Sequence, residues 1–187
     1  MFEYVFVLVS IIVGLAVTHL LQGAVRVTRQ THGKPLYWVH LLWIANLLLN
    51  LVVWWWFEFQ LREVRVWTFQ LYLFVLAYAV LLYVICRLLV PEDIDGYESW
   101  KSWFLERRTG FFVGLTLVGP VDLADTLVKG QQHLVDLGWG YLGPSVLLNA
   151  TSVIAIFVRD PRYHAYVAIQ YMALLLWICF GLFGTMT

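Results

Sequence analysis

Apolar residues run through this chain in six long blocks, and polar or charged residues are concentrated in the short segments between them. About 20 consecutive apolar residues form a helix long enough to cross a bilayer. The pattern therefore predicts an all-α, polytopic integral membrane bundle of six transmembrane helices, in a single membrane domain over 1–187. The predicted spans are approximately 4–25, 36–57, 67–89, 110–129, 139–158 and 162–184.

Prolines and the N-terminal pattern support these limits. Pro35, Pro91 and Pro161 stand at or near predicted boundaries, where proline is tolerated because the first turn of a helix needs no backbone donor. The first block has no basic segment before it, carries Glu3, and exceeds the roughly 7 to 15 apolar residues of a secretory signal. We therefore expect this block to be retained as the first span.

The polar segment between the third and fourth blocks has a helical pattern of its own. Ile94, Tyr97, Trp100 and Phe104 recur every three or four residues, with charged residues between them. This spacing favours an amphipathic helix at approximately 92–106, lying in the cytoplasmic interface. Such a helix would anchor the neighbouring spans or, as the alternative, dock a partner protein.

Composition supports a membrane class and excludes others. The chain is 61% hydrophobic and 13% charged, whereas soluble domains have about 25% charged residues. The lipid bilayer is therefore its expected partner. Net charge is zero, and nucleic-acid binding, which needs a basic face, is not expected. No nucleophile elbow, phosphate-binding loop or zinc-protease motif is present, so we do not expect an enzyme.

Lysine and arginine are distributed unevenly between the two sets of connections. The first, third and fifth connections hold nine: Arg26, Arg29, Lys34, Arg87, Lys101, Arg107, Arg108, Arg159 and Arg162. The second and fourth hold three: Arg62, Arg65 and Lys129. Because basic residues are retained in the cytoplasm, this asymmetry predicts a multi-pass protein of the cell (inner) membrane with both termini outside.

The fourth block carries Asp122 and Asp125 inside an apolar run. A carboxylate in the bilayer centre costs about 2.5 to 3.5 kcal/mol on insertion scales, so each acid needs an explanation. Lys129 follows Asp125 by four residues, and an ion pair along the helix would account for Asp125. Asp122 is the candidate group for handling an ion or proton. The alternative is a protonated acid hydrogen-bonded to Asn, Thr or Tyr.

Other polar groups fall in the second and fifth spans. Asn46 and Asn50 are four residues apart on the second span, and Asn149 lies on the fifth. Such amides commonly bind helices together, each contributing about 0.6 kcal/mol. Alternatively, they line a polar path with Asp122. Glu58, at the outer end of the second span, would form the mouth of that path or lie among the headgroups.

His19, His40 and His164 are predicted at similar depth near the cytoplasmic face. Imidazoles from different helices at one level can ligate haem or a transition metal. No compact ligand motif accompanies them, so hydrogen-bonded or interfacial histidines are the favoured interpretation and the cofactor stays unknown. Cys86 and Cys179 fall in opposite leaflets of this topology, and we expect two unpaired thiols.

These observations leave three functional hypotheses. The first is a small transporter or channel for an ion, proton or small solute that uses Asp122, as a homo-oligomer because six short-looped helices enclose little volume. The second is an accessory or scaffold subunit of a larger membrane complex, suggested by 10 Trp, 10 Tyr and 12 Phe and by the short loops. The third is a haem- or metal-binding membrane protein.

Overall fold

The computed structural model describes residues 2–29, 35–64, 66–92 and 94–182, without the side chains of His133 and Leu182. Lys34 and Arg65, which entered the charge count, lie outside these residues, as do the last two residues of the predicted sixth span. Within the described ranges the chain is helical and has no strand. The helices are α1 (Phe2–Thr28), α2 (Trp38–Glu58), α3 (Phe69–Leu89), α4 (Trp100–Lys129), α5 (Gln131–Phe157) and α6 (Pro161–Trp177).

The predicted fold class is confirmed. In the described part of the chain, six helical segments are long and apolar enough to cross a membrane. A 3₁₀ turn, Phe59–Glu63, follows α2, and a π turn, Ile178–Leu182, extends α6. The large apolar surface left exposed on these helices suits contact with lipid.

Successive helices run in opposite directions between two ends of the bundle. At one end, which we call the Glu58 end, the Phe2 ring at the start of α1 lies 6.3 Å from the Phe59 ring. At the other, the Pro91 end, Arg26 near the end of α1 donates a hydrogen bond to the Pro91 carbonyl. The bundle is therefore an up-and-down arrangement in which the N-terminal residues lie at the Glu58 end.

The predicted separate helix over 92–106 is wrong. The described residues from 94 to 99 form turns and extended backbone, and α4 begins at Trp100 rather than at 110. A capping box sets this start: the Ser99 hydroxyl accepts from the Ser102 N–H at 3.1 Å, and the Ser102 hydroxyl accepts from the Ser99 N–H at 3.1 Å. Trp100 and Phe104 pack into the bundle instead of the membrane interface.

Two breaks in regular helix shape the cavity described below. Pro120 lies inside α4, where its ring removes one backbone donor. In α5, Gly138 has φ 53° and ψ −148°, so the helix bends there. Glycine adopts this left-handed backbone without the Cβ clash of other residues. The part of α5 after this break begins at the predicted 139, and a shorter helical part from Gln131 precedes it.

Candidate functional site

A cavity of about 110 Å³ lies between α2, α3, α4, α5 and α6, toward the Glu58 end of the bundle. One water molecule needs about 10 to 15 Å³ of such space, so the cavity has room for several. Much of its wall is apolar, but polar groups converge on it from all five helices. Those that carry the argument are Asn50, Tyr78, Asp122, Asp125, Tyr141 and Asn149.

Asp122 is held from both sides by tyrosine hydroxyls. Tyr78 on α3 donates to Asp122 Oδ1 at 2.9 Å, and Tyr141 on α5 donates to Oδ2 at 2.6 Å. The Thr126 hydroxyl lies 3.1 Å from the Tyr141 hydroxyl and donates to the Asp122 backbone carbonyl at 2.9 Å. The carboxyl group therefore has a fixed orientation at the cavity wall, and it retains lone pairs for a further partner.

Pro120 removes a backbone hydrogen bond of α4 close to Asp122. Proline at position 120 cannot donate to the carbonyl of Thr116, four residues earlier in α4. The Asn149 side chain on α5 supplies the missing donor, with Nδ2 at 2.7 Å from the Thr116 oxygen. Gly119 permits this approach, because a Cβ there would overlap the Asn149 amide. Asn149 thus joins two helices at the cavity wall.

A second polar cluster lies at the edge of the same cavity that is nearest the Glu58 end. The Lys129 ammonium donates to Glu58 Oε1 at 2.9 Å and also to Asp125 Oδ2. The side chains of Lys129, Glu58 and Asp125 are 5%, 1% and 2% exposed. The predicted Asp125–Lys129 pair is confirmed. Glu58 is fully buried against α4, so it does not lie among headgroups as one alternative expected.

Acidic groups outnumber basic ones here. Among the described residues, the cavity and its edge bring together Asp122, Asp125 and Glu58 with one cation, Lys129. If all four were ionised, the cluster would carry a surplus of negative charge inside a membrane bundle, which is costly. A proton or a cation bound to this cluster would reduce the cost of its negative charge.

The two asparagines of α2 have different roles. Asn50 lines the cavity, and its Oδ1 accepts from the Tyr171 hydroxyl at 3.1 Å. Asn46 is fully buried outside the cavity lining and donates from Nδ2 to the Ala168 carbonyl at 2.9 Å. Of the predicted path residues, Asp122, Asp125, Asn50 and Asn149 are brought to the cavity, Glu58 joins them through Lys129, and Asn46 links α2 to α6.

The three candidate histidines bind carbonyl groups at the Pro91 end. His19 Nε2 donates to the Val90 carbonyl at 3.1 Å, and His40 Nε2 donates to the Leu89 carbonyl at 2.8 Å. His164 Nε2 donates to the Val158 carbonyl at 3.0 Å. Phe104 contacts the rings of both His40 and His164. In the described ranges, no three His, Cys, Asp or Glu side chains are grouped so as to hold a metal ion. Haem or metal binding stays a prediction.

Arg87 connects His19 to the surface. Its Nη1 donates to His19 Nδ1 at 3.2 Å, and its Nη2 donates to Glu92 Oε1 at 2.8 Å. Glu92 is exposed, and the neighbouring Arg87 guanidinium lowers the pKa of its carboxyl group. Cys86, which directly precedes Arg87 in the chain, and Cys179 are both free thiols, as expected.

Tyr78 and Tyr141 are the functional residues that sequence analysis did not single out. A buried carboxylate requires donors, and tyrosine was one of the three residue types expected to supply them. Ten tyrosines in the chain gave no way to choose two. The double role of Lys129 was missed for the same reason, since Glu58 is far away in sequence.

The structure thus establishes a multi-pass membrane protein with an internal polar cavity. The residues around that cavity are what a functional proposal has to rest on. Comparisons of the chain with protein-family models, with curated proteins and with solved structures find no match.

Proposed function

We propose that this protein is a membrane conduit for a proton or a small cation, with Asp122 as the group that binds it. The observation that carries the proposal is the position of Asp122 on the wall of a cavity with room for water, inside a helix that is long enough to span the membrane. An ionisable residue in such a place is by default a candidate for ion or proton handling.

The sign of the charge favours a cation over an anion. Three carboxyl groups and one ammonium group meet at the cavity among the described residues. Tyr78 and Tyr141 each use only one lone pair of an Asp122 oxygen, and an ionised carboxyl oxygen accepts two bonds. A proton or a small cation therefore has both a binding atom and a favourable field at Asp122.

The test is flux through liposomes that contain the purified protein and a trapped dye, sensitive to pH or, in parallel samples, to sodium. A potassium gradient with valinomycin sets the membrane potential, and proton entry is followed with and without external sodium. We expect flux above that of empty liposomes. Asp122→Asn should reduce it by about tenfold or more, because a hydrogen bond or ion contact to a charged group is worth about 1.5 to 3 kcal/mol.

The matched control is Asp136→Asn, which neutralises an exposed carboxylate on α5 that accepts a hydrogen bond from Gln132 and does not line the cavity. Its flux should equal that of the unmodified protein. Equal flux for Asp122→Asn would remove Asp122 from the mechanism. No flux above empty liposomes, with folded protein, would contradict the conduit and favour the accessory-subunit hypothesis.

A further inference from the structure

Lys129 is shared by two carboxyl groups from different helices, and each group keeps one oxygen without a partner. Glu58 on α2 uses Oε1, and Asp125 on α4 uses Oδ2. The other oxygens, Glu58 Oε2 and Asp125 Oδ1, are buried and have no hydrogen-bond partner in the part of the chain that the structure describes. Buried polar atoms almost always have a hydrogen-bond partner, so we expect a donor for these two oxygens.

The two carboxyl groups bond to the same Lys129 nitrogen, so they are neighbours between which a hydrogen bond can form. Two ionised carboxylates cannot form that bond, since both offer only acceptors. A single proton between them makes one a donor, and it removes the repulsion between two neighbouring like charges. One added proton thus satisfies oxygens that otherwise have no partner, and it leaves one negative charge to balance the Lys129 ammonium.

We infer that Glu58 and Asp125 share one bound proton beside Lys129, forming a proton-binding site at the edge of the cavity. The inference deepens the proposed function by identifying the bound ion as a proton. It rests on the proposed function only for the role of this site in transport. When the site is occupied, the Glu58–Asp125–Lys129 cluster is neutral. When the proton leaves for cavity water, the cluster carries one negative charge.

Other titratable groups surround the site without supplying the missing donor. Tyr78 on α3 and Tyr141 on α5 are bonded to Asp122, and Tyr171 on α6 is bonded to Asn50. The 3₁₀ turn after Glu58 contributes Arg62 and Glu63, which are both exposed. Asp122, one turn before Asp125, is the nearest further carboxyl group on α4 that lines the cavity.

The experiment is a pH titration of the purified protein in lipid nanodiscs, followed by infrared difference spectroscopy. A protonated carboxyl group gives a carbonyl stretching band that an ionised carboxylate lacks. We expect one such band from the pair, and any separate band of Asp122 is identified by its loss in Asp122→Asn. Glu58→Gln and Asp125→Asn should each abolish it, because the carboxyl group that remains then ionises as the sole partner of Lys129. Asp122→Asn and Asp136→Asn should leave it in place.

Each single substitution leaves one carboxylate with one ammonium, so we expect these variants to fold, and helical circular dichroism checks this. Survival of the band in either Glu58→Gln or Asp125→Asn would overturn the shared proton, as would its absence from the unmodified protein at every pH at which the protein is folded. The flux assay is separate. A band without flux would contradict the conduit and support the proton site. Flux without the band would support the conduit and contradict the proton site.

Discussion

At the scale of single residues, the wall of the cavity is built on a backbone defect. Pro120 leaves the Thr116 carbonyl without its helical donor, and Asn149 supplies a replacement from α5 at 2.7 Å. Inside a membrane, an unsatisfied carbonyl has no water to bond to, so the helix break is tolerated where a neighbouring side chain repairs it. Asp122 follows two residues later, at the point where α4 and α5 are joined.

This arrangement makes the contribution of Asn149 depend on Pro120. Asn149→Ala alone should lower the free energy of unfolding by about 1 to 3 kcal/mol, because the Thr116 carbonyl is left buried without a donor. In a Pro120→Ala background, the backbone N–H of residue 120 donates to Thr116 instead, and the same change should cost clearly less. Thermal or denaturant unfolding in detergent measures all four corners of this double-mutant cycle.

Additive effects would contradict the compensation, since two independent contributions leave no coupling energy. Gly119→Ala extends the test, because its Cβ would displace the Asn149 amide from the Thr116 carbonyl. Gly110→Ala on the same helix is its matched control. A Cβ at Gly110 meets only Leu88 Cδ2 at 3.9 Å, which is an ordinary contact.

At the scale of helices, close packing is concentrated where α1 passes the end of α3. A Cβ at Gly23 would come within 2.5 Å of Cγ1 and 2.7 Å of Cγ2 of Val90. Val90 has little freedom to move away, because its side chain is β-branched and its carbonyl accepts from His19. The absence of a side chain at Gly23 therefore lets α1 lie against the chain that leaves α3.

We expect Gly23→Ala to destabilise the protein by about 1 to 3 kcal/mol, the usual cost of overpacking a core. The matched control is Gly14→Ala in the same helix, where nothing lies within 4 Å of the added Cβ. That change should be neutral or stabilising by up to about 1 kcal/mol, since alanine is the better helix former. Melting temperatures in detergent decide this, and equal melting temperatures for the two variants would argue against the close contact.

The helices also show which features a sequence can predict. Five of the spans were placed near their observed limits or their observed kink, because about 20 apolar residues are needed to cross a bilayer wherever the chain folds. The start of α4 was not. The apolar spacing through Trp100 and Phe104 is the same for a helix on the membrane surface and for the first turns of a spanning helix, and only the bundle beneath distinguishes them.

The contacts around the cavity also differ in whether the sequence can predict them. Asp125 and Lys129 are four residues apart on one helix, so their pairing follows from helical geometry alone. Glu58 reaches Lys129 only because α2 and α4 meet at a particular height and rotation, which no local pattern encodes. The same holds for Tyr78 and Tyr141, which come from α3 and α5 to one carboxyl group.

At the scale of the whole molecule, the two ends of the bundle differ in charge. Most of the lysines and arginines, among them Arg87, Arg107 and Arg159, lie toward the Pro91 end, whereas Lys129 at the Glu58 end is buried with two acids. The distribution of lysine and arginine predicts that the Pro91 end faces the cytoplasm. In that orientation the proposed proton site lies in the outer half of the membrane.

Cysteine labelling tests this orientation directly. In a Cys86→Ala, Cys179→Ala background, single cysteines at two exposed acidic positions, Glu63→Cys and Glu98→Cys, would mark the two ends. A membrane-impermeant maleimide added to right-side-out vesicles should label Glu63→Cys and leave Glu98→Cys unlabelled until detergent is added. Inside-out vesicles should reverse the result. Labelling of Glu98→Cys alone from the outside would invert the topology and place the Glu58–Asp125 pair in the cytoplasmic half, so that the proton would enter the cavity from the inside.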